Sequence, residues 1–181
     1  MSAAMKSQIR TYYDPDDMDA RPTFAKEGIS RPEAAKRADL VIAEGFKRVS
    51  LPFGDRSYSC VRGYIARLRL SPARLIWLAS LLGLHAAGVA SPPAERQGGS
   101  DILYREVAFH CYRAALSVLV ETAPRSRQDL HDLLPVLMTF PGALPPSMQA
   151  HVAAAIGAHV ADAIAGRPFK RRALVPRGGV R

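Results

Sequence analysis

The sequence predicts a mostly α-helical protein with one short strand near its middle and a helical bundle after it. Three observations carry that expectation. Apolar residues make up 48% of the 181 residues, enough for a packed core. Most of them recur at helical spacing in segments bounded by proline, glycine and serine. Only residues 47–53 alternate with a period of two.

Residues 1–30 mix charges with Pro15 and Pro22 and show no period, so they read as an extended N-terminal arm. Their acidic run, Asp14, Asp16, Asp17 and Asp19, lacks the glycine and the closing glutamate of a calcium loop. Residues 31–90 hold the first structured region. Ser30, Pro32 and Glu33 have the pattern of a capping box with proline in the first turn. Ala35, Ala38, Leu40, Val41 and Ile42 supply apolar surface to the helix that follows, and Gly45 should end it. In residues 47–53, Val49, Leu51 and Phe53 point one way, while Arg48, Ser50 and Pro52 point the other. A helix with Tyr58, Val61, Tyr64, Ile65 and Leu68 on one face comes next. Ser71 then caps a second helix that has Pro72 at its first position.

Residues 75–94 contain no formal charge, but only the first half is densely apolar. His85, Gly88, Pro92 and Pro93 break the rest, so the segment reads as a buried core helix and not as a membrane span. Residues 91–100 form a linker. Three helices are expected over about 101–122, 127–139 and 146–165, forming an oligomerisation or partner-docking region over 101–166. Pro135 should kink or shorten the middle one. Residues 167–181 are a basic tail with too little apolar content to fold alone. It includes residues 174–178, LVPRG, a thrombin-type cleavage sequence that is either native or an artificial appendage.

Charge is segregated. Residues 31–75 carry a net +6 and residues 167–181 another +6, while residues 101–166 are net −2. This pattern fits either a solvated basic face or a polyanion partner, and two separate clusters favour the partner. Cys60 and Cys111 lie inside helical patterns with no C-x-x-C, as buried reduced thiols do. With no apolar leader at the N-terminus, the expectation is a cytoplasmic protein. The five histidines, His85, His110, His131, His151 and His159, have no metal-ligand spacing. His159 and Asp162 are three apart on one helix, within reach of each other. No nucleophile elbow or phosphate-cradling glycine loop is present. The sequence therefore predicts no enzyme, no metal and no cofactor.

Residues 47–84, an alternating strand, a helix, a tight turn and a second helix, resemble the ribbon–helix–helix family of DNA-binding proteins. The matching positions are the strand at 48–53, then Val61, Ile65 and Leu68, the turn at Leu70 and Ser71, and Leu75, Ile76 and Ala79. The resemblance implies a homodimer whose paired strands enter the major groove of duplex DNA. It places Arg48 and Ser50 at base edges and the helix start at Ser71 on a phosphate. Lys47, Arg56 and Arg74 add phosphate contacts. Lys170, Arg171 and Arg172 in the tail add affinity without specificity. A repressor, an antitoxin or a plasmid-transfer accessory factor is the implied class, with a role in transcription regulation.

The chain departs from the family at three places. Pro52 takes a base-reading position, Arg69 stands where the family has a glycine before the turn, and Trp77 and Leu78 make the second helix unusually apolar. Ala79, Gly83 and Val89 also have the spacing of a helix-turn-helix, but its reading helix would run into Pro92 and Pro93. The alternative of a different class is a non-enzymatic helical subunit of a larger nucleoprotein or protein assembly.

Overall fold

The computed structural model describes residues 28, 30–48, 54–90 and 101–176. Nearly all of the expected arm at 1–30, most of the strand and the linker at 91–100 lie outside them. Helices α1 (Arg31–Arg48), α2 (Asp55–Arg67) and α3 (Pro72–Ala86) come first. Helices α4 (Asp101–Val120), α5 (Arg127–Met138) and α6 (Pro146–Ile164) follow.

α3 is the centre of the fold, with 13 of its 15 residues buried. A helix that is apolar on every side is stable only when every side is covered. α4 packs along it most extensively, α1 covers both, α2 lies on α4 and α1, and α5 closes the remaining side of α3. The expectation that both faces of this helix are covered is met. Its N-terminus is fixed as the sequence reads. Ser71 Oγ accepts from the Arg74 amide at 3.3 Å. At the other end Gly88, at φ +69°, closes a Schellman motif in which the Val89 amide donates to Leu84 O and the Gly88 amide to His85 O.

Several polar groups in this core have partners inside it. Ser80 donates to Ile76 O at 2.8 Å, and His85 Nδ1 and the Tyr104 hydroxyl are 3.2 Å apart across α3 and α4. Tyr112 of α4 donates to Val136 O of α5 at 2.5 Å. The Tyr58 hydroxyl of α2 pairs with the Ser117 hydroxyl of α4.

Two expectations are corrected. The strand over 47–53 and its ribbon are not seen. Lys47 and Arg48 are the last residues of α1, residues 49–53 lie outside the described residues, and no strand occurs among the described residues. Gly45 does not end α1 either. It is buried inside the helix, and a Cβ there would lie 2.7 Å from Cys111 Sγ and 2.9 Å from Val107 Cγ1. The glycine is a packing contact between α1 and α4. Period-two alternation over so few residues is readily imitated by a helix end running into a loop. On α1 the buried set is Ala34, Ala38, Val41 and Ile42, whereas Leu40 is 53% exposed. α5 continues past Pro135 to Met138, where Thr139 Oγ1 donates to the Pro135 carbonyl at 3.2 Å.

The tail does not fold alone; it folds onto the body. Gly166, at φ +65°, turns the chain out of α6. Leu174 and Val175 are then 2% and 0% exposed, and the Val175 amide donates to Val120 O at 3.0 Å. The first two residues of LVPRG thus belong to the core.

Gly45→Ala should destabilise the protein by about 1–3 kcal/mol, because the added methyl overpacks α1 against α4. Gly63→Ala, whose methyl would meet only Arg67 Nη1 at 3.6 Å, should stabilise by about 0.5–1 kcal/mol through helix propensity. Chemical denaturation of both variants checks this.

Burial also holds His85, His110 and His159 below their usual value of 6.5. The unfolded chain therefore takes up protons below about pH 6.5 that the folded chain refuses, and stability falls as pH drops through that point. Unfolding free energy measured from pH 7.5 to 5 should decline; a flat or rising profile contradicts the assignment.

Candidate nucleic-acid interface

The sequence-predicted residues divide between two ends of α2. Lys47 lies at the end of α1, with its side chain 75% exposed and 3.7 Å from Glu44. Arg48 follows it, and Ser50 lies outside the described residues. Arg56, exposed, opens α2 across the connection. Ser71 and Arg74 lie at the far end, beyond the α2–α3 turn, where Arg74 Nη1 is 3.5 Å from Glu33 at the start of α1. Arg56 and Arg67 share one outer line of α2, about 16 Å apart by helical rise. The end of α1 and the start of α3 therefore do not form one reading surface.

The start of α3 is not an open phosphate cradle. Pro72 has no amide, Ala73 is 2% exposed, and the Arg74 amide is taken by Ser71 Oγ. Ser71 Oγ, expected beside a phosphate, is occupied as the cap of its own helix.

A different convergence does occur. Glu121, at the end of α4, takes both carboxylate oxygens to Arg62 Nη2 of α2, at 2.6 and 2.5 Å. Glu121 and Thr122 also line a groove of about 500 Å³ with Ile65, Ala66, Arg69, Leu70, Leu75 and Val118. The neighbouring Val120 carbonyl holds Val175 of the tail. The C-terminal end of α4 thus touches the α2–α3 turn on one side and the tail on the other. Lys170, Arg171 and Arg172 precede Val175 by three to five residues, within about 18 Å even fully extended. The tail is further pinned where Arg127 Nη2 donates to Arg167 O at 2.5 Å. Two basic segments far apart in sequence are thus each anchored beside the end of α4, one through Arg62 and one through Val175.

Charge is unevenly neutralised there. Asp162 takes Arg167 at 2.7 Å and Arg172 at 3.3 Å. The Arg167 hydrogen bond, with Arg172 and Lys170 nearby, holds its carboxyl below the usual carboxylate value. The expected meeting of His159 with Asp162 is replaced by this pair of arginines, and His159 stacks on Phe169 of the tail at 5.1 Å. Arg67, Arg69 and Arg171 are exposed and make no ion pair among the described residues, while Lys170, also exposed, lies near Asp162. Arg69 holds φ +49°, the left-handed conformation a glycine adopts without strain. Sequence reasoning marked Arg69 as a missing glycine but did not see it as part of a site. Nothing in the sequence signalled the Arg62–Glu121 and Val120–Val175 contacts, which depend on how helices pack.

Among the described residues, no three metal-ligating side chains come together, and no helix is long and apolar enough to cross a membrane. No family model matches the chain, and no curated protein or solved structure matches it at a significant level.

Arg69→Gly should raise stability by up to about 1 kcal/mol, because it relieves the left-handed strain at the turn. Thermal denaturation checks this. A loss of stability would mean that the arginine side chain holds the turn together.

Proposed function

We propose that the protein is a non-enzymatic nucleic-acid-binding protein that holds duplex DNA by its phosphates at the basic end where the α2–α3 turn and the tail are anchored. The observation that carries this reading is the anchoring of two basic segments beside the end of α4, with Arg67, Arg69, Lys170 and Arg171 exposed. Exposed cations on a rigid helical frame attract a polyanion and release its condensed counterions, which is the main source of sequence-independent affinity. Base reading by a β-ribbon has no support, since Lys47 and Arg48 end a helix. The reading is therefore of an accessory or architectural binder more than of a sequence-specific repressor.

A second reading, a structural subunit of a larger assembly, is favoured by one observation. α6 turns an apolar face to solvent, with Val160 50% and Ile164 84% exposed.

The test is binding to duplex DNA, single-stranded DNA and RNA across a salt series. Wild type should bind duplex with a linear fall of log affinity against log salt. The triple variant Arg69→Ala, Lys170→Ala, Arg171→Ala should flatten that slope by about 0.9 for each phosphate it no longer neutralises. Lys47→Ala with Arg56→Ala, at the opposite end of α2, should leave it unchanged. An unchanged slope in the triple variant, or a stronger effect at Lys47 and Arg56, refutes the assigned surface. Preference for RNA or single strands would refute the duplex assignment, and no binding at low salt would refute the function.

A further inference from the structure

We infer that the groove between the α2–α3 turn and the end of α4 is a binding site for a small amphipathic anion, a medium-chain aliphatic carboxylate, whose head is held by Arg69. This does not depend on the nucleic-acid reading.

The groove, of about 500 Å³, is of the size that holds small molecules, about 300–1,000 Å³. Its apolar lining comes from Ile65, Ala66, Leu70, Leu75 and Val118. Ile65 and Leu75 are fully buried and form the floor. Leu70 and Val118 are half-buried, and Ala66 is exposed. All five side chains are aliphatic. No aromatic ring lines the groove, and no polar side chain rises from the floor to fix a ring heteroatom. Such a lining suits a flexible hydrocarbon chain, whose withdrawal from water drives binding.

The polar side chains select the other end of the ligand. They are Arg69, Glu121 and Thr122, and two of the three are already engaged. Both Glu121 oxygens accept from Arg62 Nη2, at 2.6 and 2.5 Å, so this carboxylate is balanced and draws in no further cation. Thr122 Oγ1 donates its proton to Val118 O at 2.7 Å. Arg69 is exposed and makes no ion pair among the described residues. Its planar fork of donors matches the two oxygens of a carboxylate. At φ +49° a glycine would be unstrained; the arginine instead places a cation on this groove. An aliphatic floor with one unengaged cationic donor is complementary to a hydrocarbon chain that ends in an anion. Free acids and anionic lipids share that chemistry. A groove floored by two core residues takes a single short chain, so the free acid is the assigned ligand.

Calorimetric titration of the full chain with octanoate and decanoate, each below its critical micelle concentration, tests the site. Both should bind at a single saturable site, with decanoate tighter by about four-fold for each added methylene that enters the groove. Arg69→Gly, which suits the left-handed backbone, should weaken octanoate about five- to ten-fold and leave octanol unchanged. Ala66→Trp, at an exposed position, should fill the groove and abolish binding of both, with the thermal unfolding transition retained. The proposal is overturned if wild type binds neither acid, if octanoate and octanol bind equally, or if either variant binds octanoate as wild type does. Equal weakening of octanoate by Lys47→Ala and by Arg69→Gly would also overturn it, as attraction by net charge alone. Binding to phosphatidylglycerol vesicles without binding of the free acids would overturn it in favour of a lipid surface.

Discussion

The burial of α3 is the constraint on which the rest of the structure depends. Thirteen of its fifteen residues are withdrawn from water, and a helix without a polar face cannot sit at a surface. α4, α1, α2 and α5 are arranged to cover it directly or through one another. Close approach is achieved with small residues: Gly45 lets α1 reach Cys111 and Val107 of α4, and Ala38, Ala79, Ala108 and Ala115 are all fully buried. Ser80, Tyr112 and the Tyr58–Ser117 pair enter this core with hydrogen bonds made inside it, because an unpaired polar group there costs several times what a made hydrogen bond contributes.

Once α3 claims the interior, the charges have to lie outside. Most of the ion pairs on the surface are exposed and contribute little to stability, about 0–1 kcal/mol each. Arg62 with Glu121 is the partly buried exception, and its two short hydrogen bonds set the register of α2 on α4. The tail is fixed by apolar burial: Leu174 and Val175 enter the core beside Val120. That burial anchors the basic tail at the end of α4, the end whose groove Arg69 also lines. The basic end is thus a consequence of packing, and the positive-φ Arg69 adds a cation together with local strain.

The helices were legible because their signals are long and physical. The cap at Ser71, proline in the first turn and the 3.6-residue period each reinforce the same reading along the helix. The all-round apolar character of residues 75–86 also announced a buried centre. The strand was misread because alternation over seven residues is a weak signal, and Lys47 and Arg48 complete a helix as readily as they begin a strand. Of the candidate site, the two charge clusters were visible in sequence and their common anchoring at the end of α4 was not. Pairings such as Val120 with Val175 are long-range, and no local pattern encodes them. The exposed apolar face of α6 was legible only as an alanine-rich helix able to pack closely; that its outer line is exposed required the fold.

The central claim is that two basic segments, distant in sequence, form one surface because the tail docks on the end of α4. Backbone amide shifts recorded while duplex DNA is titrated into the labelled protein test this most directly. The largest changes should fall together on residues 66–71, on Thr122 and on residues 167–175, saturating at the same DNA concentration. Changes confined to residues 47–56, with the tail and the α2–α3 turn unaffected, would contradict it.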